Sequence, residues 1–233
     1  MKIVAIIQVR DGSTRLPGKA FLPLAGLSMT ENIIRRVKRS QYLDDVCLAV
    51  PFTGTPADDK LETLAYDCDI AYCCPELVDE NDLVSRYMAA ALATQATIIV
   101  RVPGDNPCVD PAYIDKAVGR YLRGHEMFYT NTTDLVGGFG YVDGVGAEVL
   151  NMDQLEALDR ETIGNSIYRE HLHKWFEDTF PDVRLPKAKL RLDVNTQEDY
   201  NFVKNVYDYI GHNRFTACEA VEVVSGLQRS SRD

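Results

Sequence analysis

The feature that most constrains this chain is the alternation of short apolar runs with longer segments in which apolar residues recur at the helical period. The apolar runs predict buried strands at 2–9, 44–52, 70–74, 96–102, 147–150 and 188–194. The periodic segments predict helices at 30–40, 58–69, 79–95, 110–122, 152–161, 166–178, 196–211 and 216–226. Because strands that alternate with helices form a mostly parallel sheet between helical layers, we predict an α/β fold.

Chain length bears on the number of domains. At 233 residues the chain can bury one large core, and the alternation continues along it without a linker or a repeat. We therefore predict a single domain over 1–233, in which 126–190 is the less regular part. At finer detail, we expect Thr30 to be the N-cap of the first helix and 166–178 to form one helix. The end of the chain, 227–233, is expected to be frayed.

The first predicted strand continues directly into a stretch that gathers cations, "VRDGSTRLPGK" at residues 9–19, which we call the cationic loop. Arg10, Arg15 and Lys19 offer donors suited to phosphate oxygens, and Gly12 lets the backbone approach a ligand closely. The chain carries a formal net charge of -10, so this cluster indicates a small anionic ligand; a solvated cationic turn is the alternative. The spacing fits neither a Walker A loop nor the G-x-G-x-x-G fingerprint.

Charge and run length also predict what the chain does not bind. An acidic chain is not expected to be a general nucleic-acid binder. The apolar runs are shorter than the roughly 20 residues of a membrane span, and the first is too short for a signal peptide. The six cysteines show no zinc spacing, and several lie among apolar residues, so we expect reduced thiols and a cytoplasmic protein.

The cationic loop and several later segments together resemble one enzyme family. "RDGSTRLPGK" is similar to the R-x-G-S-x-R-L-P-G-K signature of the cytidylyltransferases that make CMP-activated sugars, among them the CMP-Kdo and CMP-acylneuraminate synthetases. The segments "ENDLVSRY", "RVPGDNPCVDP", "YREHL" and "LRLDVNTQEDYNFVKNVY" extend the resemblance in order along most of the chain. It is strongest to the spore-coat polysaccharide biosynthesis cytidylyltransferase-like group. It implies a Rossmann-like nucleotide-diphospho-sugar transferase fold.

The resemblance also implies the reaction and its nucleotide site. It implies CTP as substrate, Mg²⁺ as cofactor, and transfer of CMP to a sugar acid or a related surface-polysaccharide precursor with release of pyrophosphate. It places the catalytic candidates Lys19, Arg10 and Arg15, together with Ser13, around the triphosphate. Further nucleotide-binding candidates are Gln8, Gly12, Arg86, Arg101 and Gly104. For Arg86 a surface ion pair, and for Arg101 the neutralisation of nearby aspartates, are the alternatives.

The metal ligands implied by the resemblance follow two predicted strands. Asp105 matches the aspartate after the central strand. The family also carries an aspartate just before T-x-E-D, sometimes as D-x-D, but Asn195 stands at that position here and Asp193 lies two residues before it. Side chains two apart on a strand point to the same side, so we expect Asp193 to bind the metal with the Asn195 carbonyl oxygen. A neutral amide is a poorer Mg²⁺ ligand than a carboxylate.

The acceptor side of the site departs from the family in one position. Related sequences often read G-L-D-x-E where this chain reads "GVGAEV", so Gly146 replaces the aspartate while Glu148 is kept; this predicts an altered acceptor specificity. The acceptor-binding candidates are Glu148, Arg169, Glu170 and His171. His171 and His173 lie two apart on one predicted helix, so we expect them to face different directions and not to share a metal.

Two other functions stay open on the sequence alone. A glycosyltransferase of similar fold would bind a nucleotide sugar and hold its diphosphate at a D-x-D metal site, which would leave the cationic loop unexplained. A non-catalytic nucleotide-binding homologue is the other possibility, and Asn195 is the residue that suggests it. The family tends towards dimers, so we expect a homodimer in which 126–190 forms the acceptor-side and oligomerisation part.

Overall fold

Most of the predicted strands and helices are present in a computed structural model, which describes residues 1–124, 129, 130, 136, 140–180 and 188–230. The strands are β1 (Ile3–Gln8), β2 (Pro23–Leu24), β3 (Leu27–Ser28), β4 (Asp45–Ala49), β5 (Ala71–Cys73), β6 (Ile98–Pro103), β7 (Tyr129–Thr130), β8 (Val142–Asp143), β9 (Glu148–Asn151) and β10 (Leu190–Arg191). The α-helices are α1 (Met29–Val37), α2 (Pro56–Asp67), α3 (Leu83–Thr94), α4 (Pro111–Leu122), α5 (Met152–Glu161), α6 (Ser166–Glu170), α7 (Leu172–Thr179), α8 (Gln197–Ile210) and α9 (Ala217–Ser230).

The centre of the fold is a six-stranded sheet in the order β5–β4–β1–β6–β9–β7. Strands β5, β4, β1 and β6 are parallel, whereas β9 is antiparallel to both β6 and β7. The prediction of a mostly parallel sheet between helices is confirmed. Strands β2 and β3 form a separate antiparallel pair, and β10 pairs with β8 in parallel.

Alternate residues of β1 point to opposite faces of the sheet and enter two separate apolar clusters. Ile3, Ala5 and Ile7 pack in the cluster that contains buried residues of α1, α2, α4, α8 and α9. Val4 and Ile6 pack in the cluster that contains buried residues of α3, α5 and α7. Helices thus cover both faces, which explains why β1 is apolar from Ile3 to Ile7 rather than at alternate positions.

The start of α1 differs from the sequence prediction. The N-cap is Ser28, whose hydroxyl oxygen accepts a hydrogen bond from Glu31 N at 3.1 Å. Thr30 lies inside the helix instead, and its hydroxyl donates to Ala20 O at 2.9 Å. The predicted cap was therefore wrong by two residues, because the serine already has the extended backbone that a cap requires.

Three further boundaries are corrected. The single helix predicted over 166–178 is divided into α6 and α7, because His171 has non-helical backbone angles of φ -129° and ψ 76°. The strand predicted over 188–194 is reduced to Leu190–Arg191. Helix α9 continues to Ser230, where fraying was expected. Residues 125–128, 131–135, 137–139, 181–187 and 231–233, nearly all of them in the regions predicted to be irregular or frayed, lie outside the described residues. Among the described residues, no helix has the length and apolar character needed to cross a membrane.

The connection order places a crevice between β1 and β6. After β1 the chain builds β4 and then β5 on one side, and it later returns to build β6 on the other side. The loops that follow β1 and β6 therefore leave the same sheet edge on diverging paths, which opens a gap at the carboxyl ends of these strands. The cationic loop follows β1 and Asp105 follows β6, so the topology brings both to this gap.

Candidate active site

The gap at the carboxyl ends of β1 and β6 holds a cavity of about 460 Å³. The predicted site residues that line it are Gln8, Arg10, Ser13, Arg15, Lys19, Arg86, Arg101, Gly104, Asp105, Glu148, Glu170, His171, Asp193 and Asn195. Gly12 and Arg169 lie outside this lining. Residues distant in sequence are thus brought together by the sheet topology, as expected for a ligand site in a doubly wound fold.

Two cations of the cationic loop reach across the cavity to the segment that follows β10. Lys19 Nζ donates to Val194 O at 3.1 Å and lies 3.5 Å from Asp105 Oδ2. Arg15 Nη2 donates to Asn195 Oδ1 at 2.9 Å. The Lys19 side chain is only 13% exposed, so its charge acts in a partly water-excluded setting where electrostatic attraction to an anion is stronger than in bulk water. This arrangement suits a ligand with several phosphate oxygens.

A second pair of cations lines the cavity on the side of α3. Arg10 Nη1 donates to Asn81 Oδ1 at 2.7 Å. Arg86 is 1% exposed; its Nη2 donates to Glu80 O, and its Nε has no hydrogen-bond partner among the described residues. Burial, together with the nearby charge of Arg10, lowers the pKa of Arg86. An anion in the cavity would offset this repulsion. Because Arg86 is buried, the surface ion pair considered as an alternative is not present among the described residues.

The floor of the cavity is a buried polar network. Arg101 Nη1 donates to Glu148 Oε2 at 2.6 Å, and the two side chains are 9% and 11% exposed. Arg101 Nε and Tyr87 Oη both donate to Gln8 Oε1, at 3.2 and 2.7 Å. The pairing register of β6 with β9 places Arg101 directly opposite Glu148. Arg101, which was predicted to bind the nucleotide, and Glu148, which was predicted to bind the acceptor, are therefore bonded to each other.

Gly104 lets the chain turn closely beside the end of β1. A Cβ atom at this position would lie 2.2 Å from Gln8 O and 2.7 Å from Val9 Cγ2. No side chain can be accommodated at such distances without displacing backbone, so this position requires glycine. The same close approach brings Asp105 next to the end of the cationic loop.

The break between α6 and α7 shapes the opposite end of the cavity. Because the helix is interrupted at His171, both His171 and His173 line the cavity, with ring centroids 5.9 Å apart. The expectation that they face different directions was therefore wrong, since it assumed a continuous helix. Burial is the main cause that lowers the pKa of each histidine, and the nearby charges of Lys174 for His171 and of Arg101 for His173 act in the same direction. Both rings are thus favoured in the neutral form.

Arg169 is engaged away from the cavity. Its Nε donates to Asp82 Oδ2 at 2.8 Å, and its Nη2 donates to Ser85 Oγ at 2.6 Å and to Asp159 Oδ1 at 2.8 Å. These bonds tie α6 to α3 and α5. The structure brings Glu170 and His171 of the same motif to the cavity, but it places the Arg169 guanidinium in this network instead.

The acidic side of the cavity offers carboxylate oxygens to a divalent cation. Asp105, Asp143 and Asp193 all line it and supply the hard oxygens that Mg²⁺ prefers. Burial and the charges of Asp193 and Asp105 raise the pKa of Asp143, which reflects concentrated negative charge. Asp193, however, accepts bonds from Arg191 at 3.0 and 2.5 Å. Within the part of the chain that the structure describes, no group of three His, Cys, Asp or Glu side chains is placed to hold a metal ion. The oxygens present therefore suit a divalent cation by their chemistry, although the described residues do not arrange them as a complete ligand set, and Asp105 is the carboxylate on which such a site would centre.

Several cavity residues were missed by the sequence analysis. They are Glu80, Asn81, Asn106, Asp143 and His173. Asp143 carried a usable signal, because it stands among glycines just before the segment that contains Glu148. Asn81 carried a weaker one, since it belongs to the "ENDLVSRY" segment. His173 was hidden by the assumption of an unbroken helix.

Comparisons with known proteins can be set beside this geometry. The family model described as cytidylyltransferase matches residues 4–210. The chain is 27% identical to the spore coat polysaccharide biosynthesis protein SpsF of Bacillus subtilis (strain 168), over 98% of this chain and 95% of that protein. It is 32% identical to the 3-deoxy-manno-octulosonate cytidylyltransferase of Trichlorobacter lovleyi, over 52% of this chain and 46% of that enzyme. A solved structure of a cytidylyltransferase from Leptospira borgpetersenii is similar at a TM-score of 0.83 and 29% identity, with 98% of this chain and 96% of that chain covered.

Proposed function

This chain belongs to the cytidylyltransferase family, and from that premise we propose that it transfers CMP from CTP to a sugar acid or a related surface-polysaccharide precursor, with release of pyrophosphate. The observation that carries the proposal is the reach of Lys19 and Arg15 across the cavity at the carboxyl ends of β1 and β6. The names of SpsF and of the 3-deoxy-manno-octulosonate cytidylyltransferase support the acceptor class.

The cations of the cationic loop bind and orient the triphosphate in this proposal. Nucleotidyl transfer develops negative charge on the α-phosphate oxygens and on the departing pyrophosphate. Lys19 and Arg15 come from one side of the cavity and Arg10 and Arg86 from another, so they stabilise that charge from fixed positions. Their hydrogen-bond partners include three neutral oxygens, Val194 O, Asn195 Oδ1 and Asn81 Oδ1, which leave the positive charges available to a phosphate.

We place Mg²⁺ beside Asp105. When bound, the cation would polarise phosphate oxygens and neutralise part of the charge on the leaving group. Asp193 and Asn195, the other predicted ligands, accept hydrogen bonds from Arg191 and Arg15, so a cation bound to them would lie beside these two positive charges.

The acceptor is proposed to bind between the Arg101–Glu148 pair and the histidines. Glu148, Glu170 and His171 present polar groups that suit sugar hydroxyls. His171 and His173 favour the neutral form, so each retains a nitrogen that can accept a proton from an acceptor hydroxyl near neutral pH. Transfer then requires this hydroxyl to lie in line with the phosphate held by the cationic loop.

The two rival functions make different demands on this cavity. A nucleotide-sugar-dependent glycosyltransferase would rely on a D-x-D metal site, whereas the corresponding segment here pairs Asp193 with Arg191. A non-catalytic homologue would bind the nucleotide without releasing pyrophosphate. Asn195 no longer favours that rival by itself, because its amide has a defined partner in Arg15.

The proposed function is tested first by calorimetric binding of CTP, ATP, GTP and UTP, each with and without Mg²⁺. We expect selective binding of CTP that Mg²⁺ strengthens. Release of pyrophosphate is then measured with CTP and 3-deoxy-manno-octulosonate as the first acceptor probe, followed by other sugar acids. Absence of triphosphate binding, or preference for a nucleotide sugar, would refute the proposal. CTP binding without pyrophosphate release from any acceptor would favour the non-catalytic homologue.

Compartment and assembly complete the proposal. The six cysteines are free in the structure, and two of them, Cys47 and Cys108, are fully buried. Free thiols are typical of reducing compartments, which supports a cytoplasmic protein. We also propose a homodimer, on the family resemblance. Light scattering coupled to size-exclusion chromatography tests the dimer, and a monomer at micromolar concentration would contradict it.

A further inference from the structure

Asn195 stands where the family resemblance leads one to expect an aspartate, and its amide has two opposite partners. Its Oδ1 accepts from Arg15 Nη2 at 2.9 Å, and its Nδ2 donates to Asp193 Oδ2 at 2.5 Å. Chemistry fixes this orientation, because a guanidinium only donates and a carboxylate only accepts. A flipped amide would set donor against donor and acceptor against acceptor.

The backbone around Asn195 is fixed as well. Asn195 N donates to Asp199 Oδ2 at 3.0 Å within the capping box that starts α8, and Val194 N donates to Asp105 O at 2.7 Å. The neighbouring Val194 O accepts from Lys19. Two cations of the cationic loop therefore rest on two consecutive residues of one anchored segment.

Three donors hold the Asp193 carboxylate in this arrangement. Its Oδ1 accepts from Arg191 Nε at 3.0 Å, and its Oδ2 accepts from Arg191 Nη2 at 2.5 Å and from the Asn195 amide. The Asp193 side chain is 8% exposed. A carboxylate at position 195 would face the Asp193 carboxylate at close range, and this repulsion would be relieved by a shared divalent cation.

We propose that Asn195 is a positioning residue. It holds Arg15 toward the cavity and leaves Asp193 to Arg191, so that Arg15 can bind a polyphosphate anion without a metal ion. The choice of a triphosphate as the natural anion rests on the proposed function. The contact itself does not, because it joins two side chains of this chain. Asparagine at this position thus keeps a guanidinium beside Asp193, where an aspartate would favour a bound cation.

The first experiment uses the full chain and two simple probes, inorganic tripolyphosphate in metal-free buffer and Mn²⁺ alone. Calorimetry measures tripolyphosphate binding, and loss of the electron paramagnetic resonance signal of free Mn²⁺ measures Mn²⁺ binding. Asn195→Ala should weaken tripolyphosphate binding about fivefold, as expected for the loss of one hydrogen bond of typical net strength. Asn195→Asp should weaken it at least as much and should tighten Mn²⁺ binding on the order of tenfold, since it adds a carboxylate beside Asp193.

Two controls separate positioning from a general effect. Asn201→Asp adds the same charge at an exposed position on α8 and should change neither affinity by more than about twofold. Arg15→Ala and Arg15→Ala/Asn195→Ala should bind tripolyphosphate equally, because Asn195 is proposed to act through Arg15. A purely structural role would make the two losses add.

The outcomes are decisive in either direction. Wild-type tripolyphosphate affinity in Asn195→Ala, additive losses in the double variant, or unchanged Mn²⁺ affinity in Asn195→Asp would overturn the inference. Binding of CTP is measured in parallel on the same samples. A wild-type protein that binds tripolyphosphate but not CTP would refute the proposed function and leave the assignment of Asn195 standing, whereas one that binds neither would refute both.

Discussion

Removal of Glu148 from the buried pair with Arg101 is expected to destabilise the protein strongly. The pair is 2.6 Å long, and its side chains are 9% and 11% exposed. Glu148→Ala leaves a buried guanidinium facing the Gln8 carboxamide without its counter-charge. Breaking a buried ion pair from one side costs about 3–5 kcal/mol of unfolding free energy, because the desolvation of the remaining charge is no longer offset. For a chain of this size that corresponds to a Tm lower by roughly 6–20 °C.

The chain offers a matched control on its surface. Arg35 and Glu31 form an i,i+4 pair on α1 whose side chains are 56% and 20% exposed. Arg35→Ala should cost only about 0.3–0.5 kcal/mol. Replacing both members of the buried pair, as Arg101→Met/Glu148→Leu, should recover much of the stability lost in Glu148→Ala, because no unpaired charge remains.

Urea unfolding followed by circular dichroism and by the fluorescence of Trp175, the single tryptophan, measures these differences. The reasoning fails if Glu148→Ala loses less than about 1 kcal/mol, or if it is no worse than Arg35→Ala. It also fails if the double variant is less stable than Glu148→Ala, since the buried charge would then not be the cause.

Three further predictions concern the cavity. Lys19→Ala should lower turnover by two or more orders of magnitude (about 3 kcal/mol or more of transition-state stabilisation) with an unchanged circular dichroism spectrum, and near-normal turnover would remove Lys19 from the catalytic centre. Gly104→Ala should cost about 1–3 kcal/mol, because its Cβ would lie 2.2 Å from a β1 carbonyl oxygen, while Gly226→Ala on α9, with open space around it, should be neutral or stabilising. The pKa of His173 is lowered from 6.5, so the folded state binds fewer protons than the unfolded chain and stability should fall as pH drops below about 6.5. His173→Gln should flatten that fall, and the exposed His212→Gln should not; equal slopes in both would contradict the assignment.

The location of site residues that directly follow strands was predictable from the sequence, because ligands bind at the carboxyl ends of the strands in a parallel sheet. The cationic loop after β1 and Asp105 after β6 could be assigned to one site before any coordinates, since the carboxyl ends of parallel strands lie together. Gly104 could be placed near the ligand for the same reason. The closeness of its approach to Gln8 O could not, because it depends on how the two strands diverge.

Partners that depend on register or on a broken helix were not predictable. Arg101 meets Glu148 only because β9 pairs antiparallel with β6 in one register, and a shift by one residue would separate them. Arg15 meets Asn195 across 180 positions of sequence, which no local pattern encodes. No glycine or proline lies near the break at His171, and the apolar residues keep the helical period across it, so the sequence predicted one continuous helix.

The antiparallel direction of β9 has a consequence for how such an enzyme can change. The chain leaves the sheet after β6 at the cavity edge, and Glu148 at the start of β9 returns it to that same edge. The stretch between them therefore begins and ends beside the cavity. It also carries α4, whose residues Ile114, Ala117 and Val118 are fully buried in the cluster that contains α1, so it cannot be exchanged as a whole. A designer who wishes to change this side of the cavity should therefore keep Asp105 and α4 and alter residues closer to Glu148.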